Sequence, residues 1–454
     1  MSDSSQQLAE TAIAQPAGSS SRASRRGGML APLGFRDYRL LFAGQLISLI
    51  GDAFYAVALP WYMLTRGGGA ASLGLVLTAY GVPLGAATLL GGWLSDRLRP
   101  RRVMLFSDFI RTFILLGLAW LTFGGGAPFL NSVPLWSIAA FTAALGLFDG
   151  MFTPASNAIA PDLLPDDQLQ AANGLFYAMA RFVQMTGPAF AGAVVASVGS
   201  PFSFAIDATT FAVSTLTLAL IRSRASKPIA PVAPDATVEA GAGASPASGA
   251  PGEAPAPEAV QTDSLWRFAL TTPYFLILLL VLVVANLFNG AAEVAFPALA
   301  NGPLRTNAQG FGFMLSAIGA GGLVGGLLAS ALGNRINRGW ISLLFFAIQV
   351  IPISALAFAP SIAIAVACMA GFGVLNGLGN VSFLTLVQRK LPRNLMGRIM
   401  GVFAFTNFAS FPLSVAAAGF AVAQFGPRPV ILAGAVVLAG AIIAAFFNRD
   451  LRNL

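Results

Sequence analysis

Residues Leu40–Leu64 read LLFAGQLISLIGDAFYAVALPWYML, and Asp52 is the one charged side chain among them. A helix needs roughly 20 apolar residues to cross the hydrocarbon of a bilayer, so this stretch is long enough to span it. Leu73–Leu94 and Leu276–Leu299 meet the same length. The chain as a whole has 454 residues, 56% hydrophobic and 10% charged, against about 25% charged in soluble domains. Lipid is therefore the solvent for most of it. Apolar runs at 39–64, 72–94, 103–123, 135–155, 171–198 and 202–221 are followed by a break. Six more follow, at 270–299, 309–332, 340–359, 361–386, 398–423 and 429–447. The pattern predicts an all-α integral membrane protein of twelve transmembrane helices in two six-helix bundles.

The break divides the chain into parts. Its run from Pro228 to Pro257 is built of Ala, Pro, Gly and Ser, too poor in large apolar residues to fold. The expected organisation is a disordered tail at 1–36, a bundle at 37–222, a disordered linker at 223–267, a second bundle at 268–448 and a short tail at 449–454. The first apolar run is too long for a signal-peptide core. Basic residues set the topology: the tails and alternate loops on one side hold 21 of the 26 lysines and arginines, while the other side's loops hold Arg66, Arg305 and Arg428. By the positive-inside rule both termini are expected in the cytoplasm. The net charge of +8 follows from that distribution and does not point to nucleic acid. There is no histidine and one cysteine, Cys368, so no metal or cofactor site and no enzymatic equipment is expected. A proton carried near neutral pH must then ride on a carboxylate.

The halves repeat. An offset of 227 carries Pro165, Gly174, Gly192 and Gly199 onto Pro392, Gly401, Gly419 and Gly426. An offset of 237 carries Asp52 and Pro60 onto Asn289 and Pro297. Such internal duplication is the mark of transporters built from two pseudo-symmetric bundles with a site between them.

After the second apolar run comes Gly92-Trp93-Leu94-Ser95-Asp96-Arg97-Leu98-Arg99-Pro100-Arg101-Arg102. It resembles the signature loop of the major facilitator superfamily, Gly-x-x-x-Asp-Arg-x-Gly-x-Arg-Arg, with Arg99 in place of the second glycine. The resemblance implies a cytoplasmic gate made by Gly92, Asp96, Arg97, Arg101 and Arg102. The matching loop after the eighth run has Asn334 where the acid would stand, so the first copy is expected to do most of the latching. In the fifth run Gly174, Gly187-Pro188 and Gly192 resemble the glycine-rich element of antiporters, with Val183 and Ala191 where two more glycines would stand. Phe35–Gln45, Gly51-Asp52, Ala58–Tyr62, Pro154-Ala155 and Ala172-Asn173 resemble the enterobactin-exporter and macrolide-efflux branch of bacterial facilitators. That resemblance implies a monomeric inner-membrane exporter of a small organic compound, a drug-like molecule or siderophore, driven by proton antiport. Proton-coupled uptake, or a non-transporting receptor on the same scaffold, stays open beside it.

Charges inside a bilayer are costly and mark candidate sites. Away from their ends the predicted spans hold seven: Asp52, Asp108, Arg111, Asp149, Arg181, Asp207 and Glu293. Asp108 and Arg111, three apart on one helix face, are expected to neutralise each other. In the fold the resemblance implies, helices 1, 4, 7 and 10 line the cavity and 3, 6, 9 and 12 stand outside. On that basis Asp207 is expected to be structural, and Asp52, Glu293 and Asp149 are the candidates for proton coupling. Arg181 is a candidate either to pair with Asp149 or to meet an anionic substrate. Gln45, Asn289, Asn376 and Asn380 complete the candidate substrate cavity, with Phe54, Tyr55, Phe288 and Phe383 as possible aromatic walls.

Overall fold

The computed structural model describes residues 28–66, 68–123, 133–222, 273–333, 339–390 and 396–448. The first half is a set of rods: α1 (Arg36–Thr65), α2 (Gly69–Arg97), α3 (Pro100–Phe123), α4 (Leu135–Ala158), α5 (Asp166–Val198) and α6 (Ser200–Leu220). The second half comprises α7 (Pro273–Asn301), α8 (Ala308–Leu332), α9 (Gly339–Ile348 continued by Val350–Ala357), α10 (Ile362–Lys390), α11 (Met396–Phe425) and α12 (Pro427–Phe447). No strand occurs among the described residues. Eleven of the described helices are long and apolar enough to cross a membrane. The exception is α5, whose 33 residues include Asp166, Asp167, Gln168, Gln170, Arg181 and Gln184, which dilute its apolar surface. The expected count of twelve spans thus holds for eleven rods on length and composition.

The predicted run 340–359 is interrupted at Gln349. Pro352 has no N–H to donate to the carbonyl one turn back, at Ile348, and the helix resets there. Residues 1–27 of the expected tail and all of the expected linker lie outside the described residues, as does Asn334. The last part of the expected tail is ordered: Ala31–Gly34 form a short 3-10 turn with Pro32 buried.

The duplication read from sequence is carried by backbone contacts. In the first bundle α4 packs on α2 with Gly146 and Gly150 against the carbonyl oxygens of Tyr80 and Leu84. In the second, α10 packs on α8 with Gly373 and Gly377 against those of Ile318 and Gly322. At all four glycines a methyl group would strike a carbonyl oxygen, so these residues set how closely the rods approach. The turns α5–α6 and α11–α12 are also copies, with Gly199 at φ 90° and Gly426 at φ 81°, a left-handed conformation that glycine adopts without strain.

The bundles meet along two seams, α2 with α11 and α5 with α8. Both seams are close at one end of the molecule, the end where α1 stops and α2 starts, and α5 and α8 stay close as far as Gln184 and Gly319. A Cβ on Gly74 would stand 2.7 Å from Gly419 Cα, and one on Gly192 would stand 3.1 Å from Gly312 Cα. Nearer the middle, Thr78 Oγ1 donates to the Pro412 carbonyl at 3.2 Å and Ala189 N–H to Ser316 Oγ at 2.9 Å. Large apolar side chains such as Leu90, Trp120 and Phe447 project from the outer faces, as lipid contact requires.

Candidate functional site

Between the seams lies a cavity of about 600 Å³, lined mainly by the first bundle and closed on one side by Glu293 of α7 and Phe411 of α11. Asp52 of α1, Arg111 of α3, Asp149 of α4 and Asp207 of α6 all line it. Four separate rods therefore each bring one charged residue to a common cavity, and α3 adds Asp108 behind Arg111.

Arg111 organises the cluster. Its guanidinium is 3% exposed and bonds Asp108 Oδ1 through Nη2 and Asp149 Oδ1 through Nη1, each at 2.7 Å. It is sandwiched between the rings of Phe152 and Phe211, at 4.2 and 4.4 Å from their centroids, which adds cation–π attraction. The remaining carboxylate oxygens are also held: Ser214 Oγ donates to Asp108 Oδ2 at 2.6 Å, and Tyr80 Oη to Asp149 Oδ2 at 2.8 Å. Asp207 is 1% exposed, with Thr210 Oγ1 3.3 Å from its Oδ1, and the absence of a side chain at Gly51 leaves its carboxylate room. Asp52 and Glu293 differ from these. Both face the cavity with exposed side chains, and among the described residues no hydrogen bond or ion pair reaches either carboxylate.

The expected Asp108–Arg111 pair forms, but it is half of a larger arrangement. Arg111, not Arg181, holds Asp149, which removes one of the two roles open to Arg181 from sequence. Arg181 is exposed and donates to Gln184 Oε1 at 2.7 Å, on its own helix. Asp207, set aside from sequence as structural, lines the cavity instead. Local spacing offered no signal for either: Arg111 and Asp149 are 38 residues apart. Tyr80 was missed too, since only its place opposite Asp149 singles it out.

Of the neutral candidates, Gln45 lines the charged cavity, while Asn289, Asn376 and Asn380 line a separate pocket inside the second bundle. The side chains of Gly92 to Asp96 lie outside the described residues. Arg97 and Arg102 are exposed. Arg101 caps α6, its Nε and Nη2 donating to the carbonyls of Leu218 and Ala219 at 2.8 Å; a cation there also complements the helix dipole. In α5, Gly187 packs against Ala53 of α1, and Pro188 and Gly192 pack against α8, whereas Gly174 meets nothing within 4 Å. Of the glycine-rich element, Pro188 and Gly192 are therefore part of the inter-bundle seam.

Comparison with known proteins gives a consistent result. Residues 41–415 match the family model described as Major Facilitator Superfamily. The chain is 27% identical to the multidrug efflux pump Tap of Mycobacterium tuberculosis over 92% of this chain and 94% of that protein. It is 24% identical to the enterobactin exporter EntS of Salmonella typhimurium over 84% of each. Among solved structures it superposes on the nucleoside transporter NupG with a TM-score of 0.67 at 16% identity, covering 91% of this chain and 100% of that one. The inward-facing bacterial homologue of the iron transporter ferroportin gives 0.63 at 17% identity, covering 91% and 99%. At such identities the structural likeness speaks for the fold alone.

Proposed function

This chain belongs to the major facilitator superfamily, and on that premise we propose that it exports a small organic compound in exchange for protons, by rocking its two bundles about the central cavity. The observation that carries the reading is a charge imbalance facing that cavity. Four aspartates, Asp52, Asp108, Asp149 and Asp207, gather round a single guanidinium. Uncompensated charge in a low-dielectric site is costly, so the cluster must take up cations, and protons are the smallest available. Asp108 and Asp149 are tied to Arg111. Asp52 and Glu293, open to the cavity, are the groups that exchange protons with water as the cavity opens to either side.

The names of the relatives, an efflux pump and an exporter, support an organic cargo moving outward. The basic loops support an orientation with both termini in the cytoplasm of a bacterial inner membrane, and α5 then crosses as the twelfth span. In that orientation the tight seams at Gly74–Gly419 and Gly192–Gly312 close the outer face. The cavity runs towards the opposite end past Ser156 and Asn157, which makes this the inward-facing state, ready to take cargo from the cytoplasm.

The test uses inverted membrane vesicles, whose lumen corresponds to the outside of the cell. An acid lumen should drive uptake of labelled cargo from a panel of drug-like compounds and a catecholate siderophore, and nigericin should abolish it. Asp52→Asn should lose the stimulation by the gradient while cargo-for-cargo exchange and membrane level persist. Uptake in that variant that still follows the gradient would remove Asp52 from the mechanism and turn attention to Glu293. Uptake driven by a gradient of the opposite sign would mean symport.

A further inference from the structure

The second bundle contains a largely apolar pocket of about 210 Å³ between α7, α9, α10 and α12, with a few amides and one hydroxyl in its wall and no residue of the first bundle. These rods are the copies of α1, α3, α4 and α6, which carry the charged cluster. The correspondence extends to single residues. Gly146-Leu147-Phe148-Asp149-Gly150 recurs 227 residues later as Gly373-Val374-Leu375-Asn376-Gly377. Asn289 stands 237 residues after Asp52, and Gln349 stands 238 after Arg111. The contact is repeated as well: Arg111 bonds Asp149, and Asn376 Nδ2 donates to Gln349 Oε1 at 3.5 Å. Three charged members of the first cluster, Asp52, Arg111 and Asp149, thus have a neutral amide in the second, whereas Asp108 falls on Phe346 at the offset of 238.

The lining of this pocket carries no formal charge. Its polar groups are amides and a hydroxyl, and two donors among them lack partners. Asn286 Oδ1 accepts from Asn407 at 3.2 Å, leaving its buried Nδ2 unpaired. Ser342 is 2% exposed, and its Oγ also has no partner. Buried donors are almost always satisfied; both residues line the pocket, and a turn of either side chain brings its unpaired donor to an acceptor held there. Phe346 and Phe383 supply the apolar wall.

We propose that this pocket binds the uncharged, hydrogen-bond-accepting part of an aromatic organic molecule, such as a carbonyl or amide, and that the duplicated bundles have divided their labour, charge exchange in one and neutral-ligand binding in the other. The proposal rests on the export reading only in regarding that ligand as cargo. The test measures equilibrium binding to the purified full-length protein in lipid nanodiscs, with chloramphenicol as an uncharged aromatic amide and ethidium as a cationic aromatic. Ser342→Ala and Asn286→Ala should each weaken chloramphenicol binding roughly 5- to 10-fold, as expected for the loss of one hydrogen bond in a buried site, and leave ethidium within twofold. Should either variant fail to accumulate, Ser342→Cys in a Cys368→Ser background keeps nearly the same side-chain shape, and chloramphenicol should protect it from N-ethylmaleimide. No saturable chloramphenicol binding to the wild type, unchanged affinity in both alanine variants, or no protection would each overturn the proposal and leave the pocket to water. Binding that responds as expected, in a protein whose vesicles show no gradient-driven uptake, would sink the export reading and leave this site standing.

Discussion

At the scale of residues, Arg111 is the hinge of the electrostatics. It is buried, bonded to two aspartates and stacked between two rings, so its removal leaves Asp108 and Asp149 without a counter-charge. Breaking one partner of a buried ion pair costs about 3–5 kcal/mol, and Arg111→Met should lower the thermal midpoint of the detergent-purified protein accordingly. Adding Asp108→Asn and Asp149→Asn should restore much of that stability without restoring gradient-driven transport. A triple variant as unstable as Arg111→Met alone would mean that the arginine acts through packing. Asp96→Asn tests the loop: transport should fall much further than protein level if the acid latches the cytoplasmic face. Equal transport would reduce the loop to a basic patch, consistent with Arg101 holding the end of α6.

At the scale of elements, the seams make a testable gate. Gly74 and Gly419 approach through α2 and α11, and Gly192 and Gly312 through α5 and α8. The pairs are themselves copies, since Gly312 lies 238 after Gly74 and Gly419 lies 227 after Gly192. A side chain at either seam meets backbone rather than a movable side chain, so Gly74→Val and Gly192→Val should hold the outer end apart. With Cys368 replaced by Ser, a cysteine at Ala56, exposed in the cavity, should become reactive to a membrane-impermeant thiol reagent added outside whole cells. Reactivity as low as in the parent would show that the seams do not gate the cavity. The interruption of α9 belongs to this scale as well. It was legible in principle from Pro352, but proline also sits inside α1, α2, α4, α5, α7 and α11 without ending them, so the residue type alone does not locate the break.

For the whole molecule, the linker prediction follows from composition. Deleting Pro228–Pro257 should leave membrane insertion and transport close to normal, because the run can bury little apolar surface and joins two bundles with their own packed interiors. Loss of insertion, measured by protease protection of tagged termini, would show that the segment contributes structure.

Membrane residence, the six-plus-six pattern and the duplication were all legible in the sequence because lipid imposes a one-dimensional rule. Each crossing must be a helix of sufficient apolar length, so counting along the chain finds the rods, and repeated glycines and prolines reveal the copy. The weakest hydropathy signal is that of α5, whose Asp166, Asp167, Gln170, Arg181 and Gln184 are exposed. The choice of partners was decided by the tertiary structure. Arg111 reaches Asp149 instead of Arg181, Asp207 turns into the cavity, and the asparagines gather in the second bundle. Those outcomes depend on how each rod is rotated about its axis and how closely its glycines let it approach the next. Neither quantity is written in the spacing of residues along a single helix.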